Sequence, residues 1–269
     1  MTIARTKPIF AASVAAGILA GAGIAVAQDT APPLPQKQYV LELGVGARVQ
    51  PRYEAADSYI VYPFPLIGVG RFYVPGLGQV KDGRDSRGIF VYPAFNYIGE
   101  RKPSDNRALR GTEKIDWTLE LGAGAGYRFR NFRVFAELLQ GINGETSQSG
   151  QVGFDGIFYP LDKVEFSIGP RATFAADGYM DTYFGVTDSE AAASGGTLTP
   201  YDPDGGFKSV ALAARASYAY TDNVKLHLLG RYDRFVGDAA DSPIAKTGDE
   251  NQFTIGLGMT YRFAFDVFK

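Results

Sequence analysis

The chain has no cysteine and a single histidine, His227, among 269 residues. The first absence excludes disulfide scaffolds, thiolate metal sites and iron–sulfur clusters, and the second excludes a His-rich metal centre. An excess of charge of one sign is lacking too. Lys and Arg number 27 against 29 Asp and Glu, a formal net charge of -2, so no basic face is offered to nucleic acid. Outside the N-terminus no apolar run approaches the ~20 residues a membrane-spanning helix needs, which excludes a helical transmembrane bundle. What is plentiful is glycine, 33 residues, together with 13% aromatics, where ordinary glycine usage is ~7%. Such a chain is either a soluble β-protein or a β-barrel of an outer membrane.

The N-terminus decides the compartment. Residues 1–27 carry Arg5 and Lys7, then an apolar stretch from Ile9 to Val26, and end in Ala25-Val26-Ala27. A basic start, an apolar middle and a small-x-small ending make a secretory signal peptide cleaved before Gln28. No cysteine follows the cleavage site, so the mature protein is not a lipoprotein. Residues 28–38 form a Pro-rich tail, with Ala31-Pro32-Pro33-Leu34-Pro35-Gln36 unable to adopt regular helix or central strand. The expected location is the outer membrane of a Gram-negative bacterium, with this tail in the periplasm.

From residue 39 to 269 the chain reads in steps of two. Tyr39, Leu41, Leu43, Val45, Ala47 and Val49 alternate with Glu42, Gly44, Gly46, Arg48 and Gln50. That run is long for a soluble strand and suits a tilted membrane-spanning one. The same pattern recurs from Ile115 to Phe129, from Val164 to Phe174 and from Phe253 to Phe263. The polar face is mostly glycine, small hydroxyls and opposite charges, which fits a narrow lumen better than open water. Short connections at Arg130-Asn131, Leu161-Asp162-Lys163 and Thr221-Asp222-Asn223 belong at the periplasmic end, and long ones near 141–150, 175–206 and 236–250 outside. Aromatics of the apolar face then fall into two girdles. Tyr39, Tyr127, Phe129, Tyr218, Tyr220, Tyr261 and Phe263 lie by the short turns, and Trp117, Phe174, Tyr232 and Phe253 by the long loops. The expected fold is an all-β antiparallel transmembrane barrel with a short helix in a long external loop. Ten strands result if 58–80 crosses once, despite Pro63, Pro65 and Pro75; twelve result if Gly70 is a hairpin.

Residues of the polar face are the candidate site. Glu42, Arg48, Glu120 and Arg128 on the early strands, Arg133, Glu137, Glu165 and Arg171 in the middle, and Arg215, Arg231, Asp233 and Arg262 late in the chain all fall on lumen positions. They either fill the barrel as paired ladders or line a restricted pore for small solutes. His227 points the same way beside Lys225, and reads as a hydrogen-bonding lumen residue in preference to a catalytic base. Thr187-Asp188-Ser189-Glu190 is a capping box, followed by three alanines, Ser194 and Gly195, so a short helix is expected at 188–194. With Tyr183, Phe184 and Tyr201 it supplies enough apolar material for an ordered lid over the barrel mouth. Acidic loop residues such as Asp181, Asp202 and Asp238 fit no defined calcium loop. No pattern calls for a cofactor, a metal or a catalytic group.

Several segments outside the strands resemble the MipA/OmpV family of outer-membrane proteins. They are Tyr53-Glu54-Ala55-Ala56-Asp57, Pro63-Phe64-Pro65, Leu109-Arg110-Gly111, Tyr183-Phe184-Gly185-Val186, Gly237-Asp238-Ala239-Ala240-Asp241-Ser242-Pro243 and the closing Tyr261-Arg262-Phe263. The sequence departs from the family where Ala55-Ala56 stand in place of the usual Gly-Ser, and where Ala264 to Lys269 extend the end. The resemblance implies a non-enzymatic envelope role, in the founding member a scaffold joining a murein-degrading enzyme to a murein synthase; osmotic, adhesive and uptake roles occur among other members. Expected partners are outer-membrane lipid and lipopolysaccharide, with periplasmic murein hydrolase and synthase implied by the resemblance, a homodimer left open, and no nucleic acid.

Overall fold

The computed structural model describes residues 39–70, 72–74, 78–80 and 86–266. The expected signal peptide and periplasmic tail lie outside the described residues. The strands are Tyr39–Pro51 (β1), Tyr59–Val69 (β2), Phe72–Val74 (β3), Gly78–Val80 (β4), Gly88–Ile98 (β5) and Thr118–Arg128 (β6), followed by Phe132–Ile142 (β7), Gln148–Leu161 (β8), Val164–Ala175 (β9), Gly206–Ala219 (β10), Val224–Phe235 (β11) and Asn251–Phe265 (β12). Ten of them form one antiparallel sheet in the order β2-β1-β12-β11-β10-β9-β8-β7-β6-β5, curled into a nearly closed barrel. β3 and β4 pair only with each other. The protein is therefore a ten-stranded outer-membrane barrel, and the segment after Gly70 is a separate hairpin and not two further staves.

Proline placement explains why β2 and β5 are the ends of the sheet. Gly70 N–H donates to Val40 O at 2.9 Å and Arg52 N–H to Ser58 O at 2.9 Å, so even-numbered β2 residues face β1 with their backbone groups. The nitrogens of Pro63 and Pro65 then point away from β1, where no donor is required. Likewise Phe129 N–H donates to Phe132 O at 2.8 Å, which turns odd-numbered β6 residues toward β7. Pro93 in β5 thus has its nitrogen on the side away from β6. Three prolines strip donors from the two edges that face each other.

Alternation sets the two faces of the wall. Val45, Val61 and Leu257 are 69%, 70% and 64% exposed, their apolar surface meeting lipid instead of water. Lumen glycines make room for aromatic rings from the next strand. A Cβ at Gly124 would lie 2.2 Å from the Tyr92 ring, and one at Gly46 would lie 2.7 Å from the Phe64 ring. Phe64, Phe90, Tyr92 and Phe135 thus occupy a face read from the sequence as glycine, hydroxyl and charge.

Two connections differ from expectation. The β7–β8 link is only residues 143–147, closed by Asn143 and Gly144 at φ 63° and 59°, the left-handed pair of a tight hairpin. β6 begins at Thr118; Ile115 instead bridges to Arg101 and is buried. At the chain end β12 continues past Phe263 to Phe265, which pairs with Tyr39 and stacks on it at 5.9 Å between ring centroids.

Leu257→Arg puts a charge on the lipid face and is expected to cost about 2–4 kcal/mol. Gly122→Ala is expected to destabilise as well, because its Cβ would sit 1.8 Å from Leu138 O. Urea unfolding of each variant in lipid vesicles checks both; wild-type midpoints would contradict the assignment of faces.

Candidate functional site

The hydrophobic core of this protein lies beyond one end of the barrel. Asp177–Phe184 (α1) and Asp188–Ala193 (α2) follow β9, and Gly237–Asp241 (α3) and Pro243–Thr247 (α4) follow β11. Their apolar faces join Tyr53 and Ala56 after β1, Ile98 at the end of β5, and Leu109 and Ile115 in one buried cluster. Tyr183 and Phe184 are fully buried there, with Phe184 edge-on to Phe235 at 5.1 Å.

Buried polar contacts pin this cap to the wall. Tyr183 OH donates to Thr118 Oγ1 at 2.8 Å, Arg101 Nη1 to Tyr183 O at 2.8 Å, and Ser242 Oγ to Phe184 O at 2.6 Å. Lys208 Nζ lies 2.8 Å from Glu54 Oε1, which also accepts from Tyr179 OH at 2.7 Å. Tyr201 exchanges backbone hydrogen bonds with Val186, and its hydroxyl donates to Asp238 O at 2.9 Å. The Thr187 box is present, with Glu190 N–H on Thr187 Oγ1 and Thr187 N–H on the Glu190 carboxylate. Glu190 also accepts from Glu113 N–H at 2.8 Å. Burial opposes ionisation of its carboxyl, but the hydrogen bonds from Glu113 and Thr187 and the charge of Arg101 outweigh it, holding the pKa below the usual carboxylate value. Gly111, at φ 89°, touches α2 so closely that a Cβ would lie 2.5 Å from Ala193 C. Ala55 stands in the left-handed region at φ 67°, a conformation that favours glycine.

Within the lumen most of the charges are paired, several of them across strands. Asp155, 1% exposed, takes Arg133 at 2.7 Å and Arg171 at 2.6 Å. Arg231 grips Asp233 at 2.6 Å and donates to Gln151 at 2.8 Å. Glu137 accepts from Gln151 and from Tyr92 OH, and Glu120 from Asn96 and Ser149. A second layer lies nearer the short turns: Lys225 with Glu42, Arg128 with Tyr159 and Glu165, and His227 between Ser217 and Thr260 at 2.9 Å each. His227 has hydroxyls on both nitrogens and no carboxylate to orient it as a base. Arg262 lies on the same inner face of β12.

Between cap and lower layer is a chamber of about 600 Å³ whose lining includes Arg48, Glu120, Glu137, Arg171, Arg215 and Arg231. Arg48 donates to Asn96 at 3.1 Å and lies over the Tyr62 ring at 4.7 Å. Of the partners in this network, Asp155, Gln151, Tyr92 and Asn96 escaped the sequence reading. The signal for Asp155 was the parity it shares with Gln151 and Gly153 in β8.

The aromatic residues of the two girdles all lie on the outer face. Tyr127, Phe129 and Phe132 stack consecutively at 4.7 and 4.2 Å, Tyr261 meets Phe263 at 4.8 Å and Tyr232 meets Phe253 at 4.9 Å. Trp117, Tyr218 and Tyr220 are exposed there, and the Phe174 ring covers Gly150.

A family model described as MltA-interacting protein MipA matches residues 43–263. No curated protein matches the chain. Among solved structures, Pseudomonas putida OprB aligns at 10% identity over 85% of this chain and 94% of its own, with a TM-score of 0.36. Outer membrane protein H (OprH) of P. aeruginosa aligns at 13% identity over 83% and 99%, with a TM-score of 0.33. The N-terminal β-barrel domain of Pseudomonas aeruginosa OprF aligns at 12% identity over 65% and 97%, with a TM-score of 0.30.

Asp155→Ala leaves Arg133 and Arg171 without their shared counter-charge and is expected to cost about 3–5 kcal/mol, read by unfolding midpoint; Asp222→Ala in an exposed turn serves as the control. The Glu190 contribution to the cap is fully present above an ordinary carboxylate pKa and is lost as pH falls through its depressed value. Limited proteolysis within 187–195 is therefore expected to be slow at neutral pH and to quicken under acid, with Thr187→Ala, a loss of about 1 kcal/mol, quickening it already at neutral pH. Rapid, pH-independent cutting of the wild type would show that the segment is not held down.

Proposed function

The chain belongs to the MltA-interacting protein (MipA) family, and we propose that it is a non-enzymatic anchor in the outer membrane that gathers a murein hydrolase and a murein synthase at its periplasmic face. The observation that carries this reading is the family match, which extends over nearly the whole barrel. Secretion through a cleaved signal peptide would bring the short turns to the periplasm. At that end the β6–β7 hairpin presents Arg130 beside the Phe129–Phe132 stack, and a shallow concavity there is lined by Arg87, Tyr127, Phe129, Arg130 and Phe132. Arginine flanked by rigid aromatic rings is the composition of interface hot spots. Asp162, Lys163 and Asp222 stand exposed on the neighbouring turns. The capped mouth, the paired lumen charges and the hydroxyl-bound histidine support a barrel that acts by position.

Affinity capture of murein enzymes from solubilised envelopes tests the proposal. Deletion of Pro32 to Gln36, or Arg87→Glu with Arg130→Glu, is expected to weaken capture about tenfold or more while the barrel stays folded. Equal retention by wild type and variants would overturn the scaffold role. The purified barrel is expected to pass no steady ion current in a planar bilayer; a stable conductance would favour a small-solute channel.

A further inference from the structure

The seam between β2 and β5 is the one place among the described residues where neighbouring staves share no backbone ladder. Near the cap it is tied. Gln50 Nε2 donates to Tyr97 O at 2.7 Å, Tyr62 OH to Gln50 Oε1 at 2.9 Å, and Gly99 N–H to Arg52 O at 3.0 Å. The Tyr62 and Tyr97 rings lie 5.2 Å apart. Farther from the cap, Pro65 and Pro93 have removed donors from both edges, and among the described residues no hydrogen bond joins 64–69 to 89–95. The chamber is lined on that side by residues of both wall faces, the outward Ile67 and Val91 as well as the inward Leu66 and Tyr92. Among the described residues this is the one pair of neighbouring staves at which such a two-faced lining meets no backbone ladder. Along this stretch a path from the chamber to the surrounding hydrocarbon would meet no hydrogen-bonded ladder.

Behind this stretch, two guanidinium groups have spare donors. Arg215 lines the chamber and makes no hydrogen bond or ion pair among the described residues. Arg48 uses one Nη on Asn96 and leaves its buried Nε without a partner. Apolar rings and side chains stand between these cations and the membrane, with Phe64 5.4 Å from the Arg48 guanidinium and Leu66 and Phe90 on the chamber wall.

We propose that the seam is a lateral portal through which an amphiphile with one acyl chain and an anionic head enters the chamber from the bilayer. Its carboxylate or phosphate lies on Arg48 or on Arg215, where the charged donor gains an acceptor, and its chain lies against Phe64, Leu66 and Phe90. A volume of about 600 Å³ is that of a small-molecule site, which favours one chain over a multi-chain lipid. The seam prolines keep the edges from zipping shut. This inference is independent of the scaffold role, since capture of murein enzymes does not enter its test.

The test uses the full-length mature protein in phosphatidylethanolamine and phosphatidylglycerol vesicles, with palmitate and lysophosphatidate carrying a photoactivatable diazirine at the chain end and hexadecanol carrying the same group as the uncharged control. Mass spectrometry maps the labelled residues. Either charged probe is expected to label inward Phe64, Leu66 or Phe90 as well as outward positions such as Val61, and the stronger of the two identifies the head group. Interior labelling should fall about tenfold or more in the Arg48→Gln, Arg215→Gln double variant, and also when Pro65→Val with Pro93→Val restores two ladder donors, while labelling of Val61 stays unchanged as evidence of a folded barrel. Labelling confined to outward positions would overturn the proposal. So would interior labelling that hexadecanol matches or that the arginine variant leaves unaltered.

Discussion

A wall that stands in hydrocarbon has to satisfy every backbone donor and acceptor within itself, and the architecture of this protein depends on that requirement. It sets the antiparallel ladder around ten strands, the lipid-facing aliphatics and the tight turns that keep neighbours in register. It also gives the seam its meaning. Where β2 and β5 meet, the requirement is met in part by removing donors, with Pro63, Pro65 and Pro93 presenting edges that ask for fewer partners. Near the cap, side chains take over from the ladder.

Inside the wall the chemistry is inverted relative to a soluble protein. The lumen holds ion pairs shared across strands, with Asp155 serving two arginines, while the apolar core sits above the membrane in four short helices and three loops. Glycine links the two halves of this arrangement. On the lumen face it allows rings from adjacent strands to lie over the backbone, and at Gly111 it allows a loop to press against α2. The chamber is what remains between a polar lower layer and an apolar roof.

The barrel was legible because membrane strands repeat with a period of two and every repeat reports the same face. Leu257 and Gly258 could be assigned to opposite sides from their neighbours alone. The strand count was decided by proline chemistry that shows only when one knows which edge a strand occupies, so Pro63 and Pro65 looked like obstacles before they looked like edge devices. The Thr187 box was readable because capping is local, and α2 was expected where it stands. By contrast α1, α3 and α4 escaped, since α1 and α3 have no side-chain cap and α4 is signalled only by Ser242-Pro243. Lumen partners such as Asn96 for Arg48 join residues 48 apart in sequence, and parity places both on the inner face without saying that they meet.

The cap has a consequence for how the protein comes to be. Its buried cluster draws on Tyr53, Ile98, Leu109, Tyr183, Phe235 and Ile244, residues contributed by four of the links between strands and by the ends of β5 and β11. No pair of adjacent staves carries enough of it to collapse alone, and the ordering entropy of such distant segments is recovered only when all are present. The staves must therefore be delivered in sequence and arranged in their circle before the roof can set. Once set, it ties the two free edges of the sheet to the same apolar mass, so that a barrel lacking a full hydrogen-bonded hoop is kept round by the material stacked on its rim.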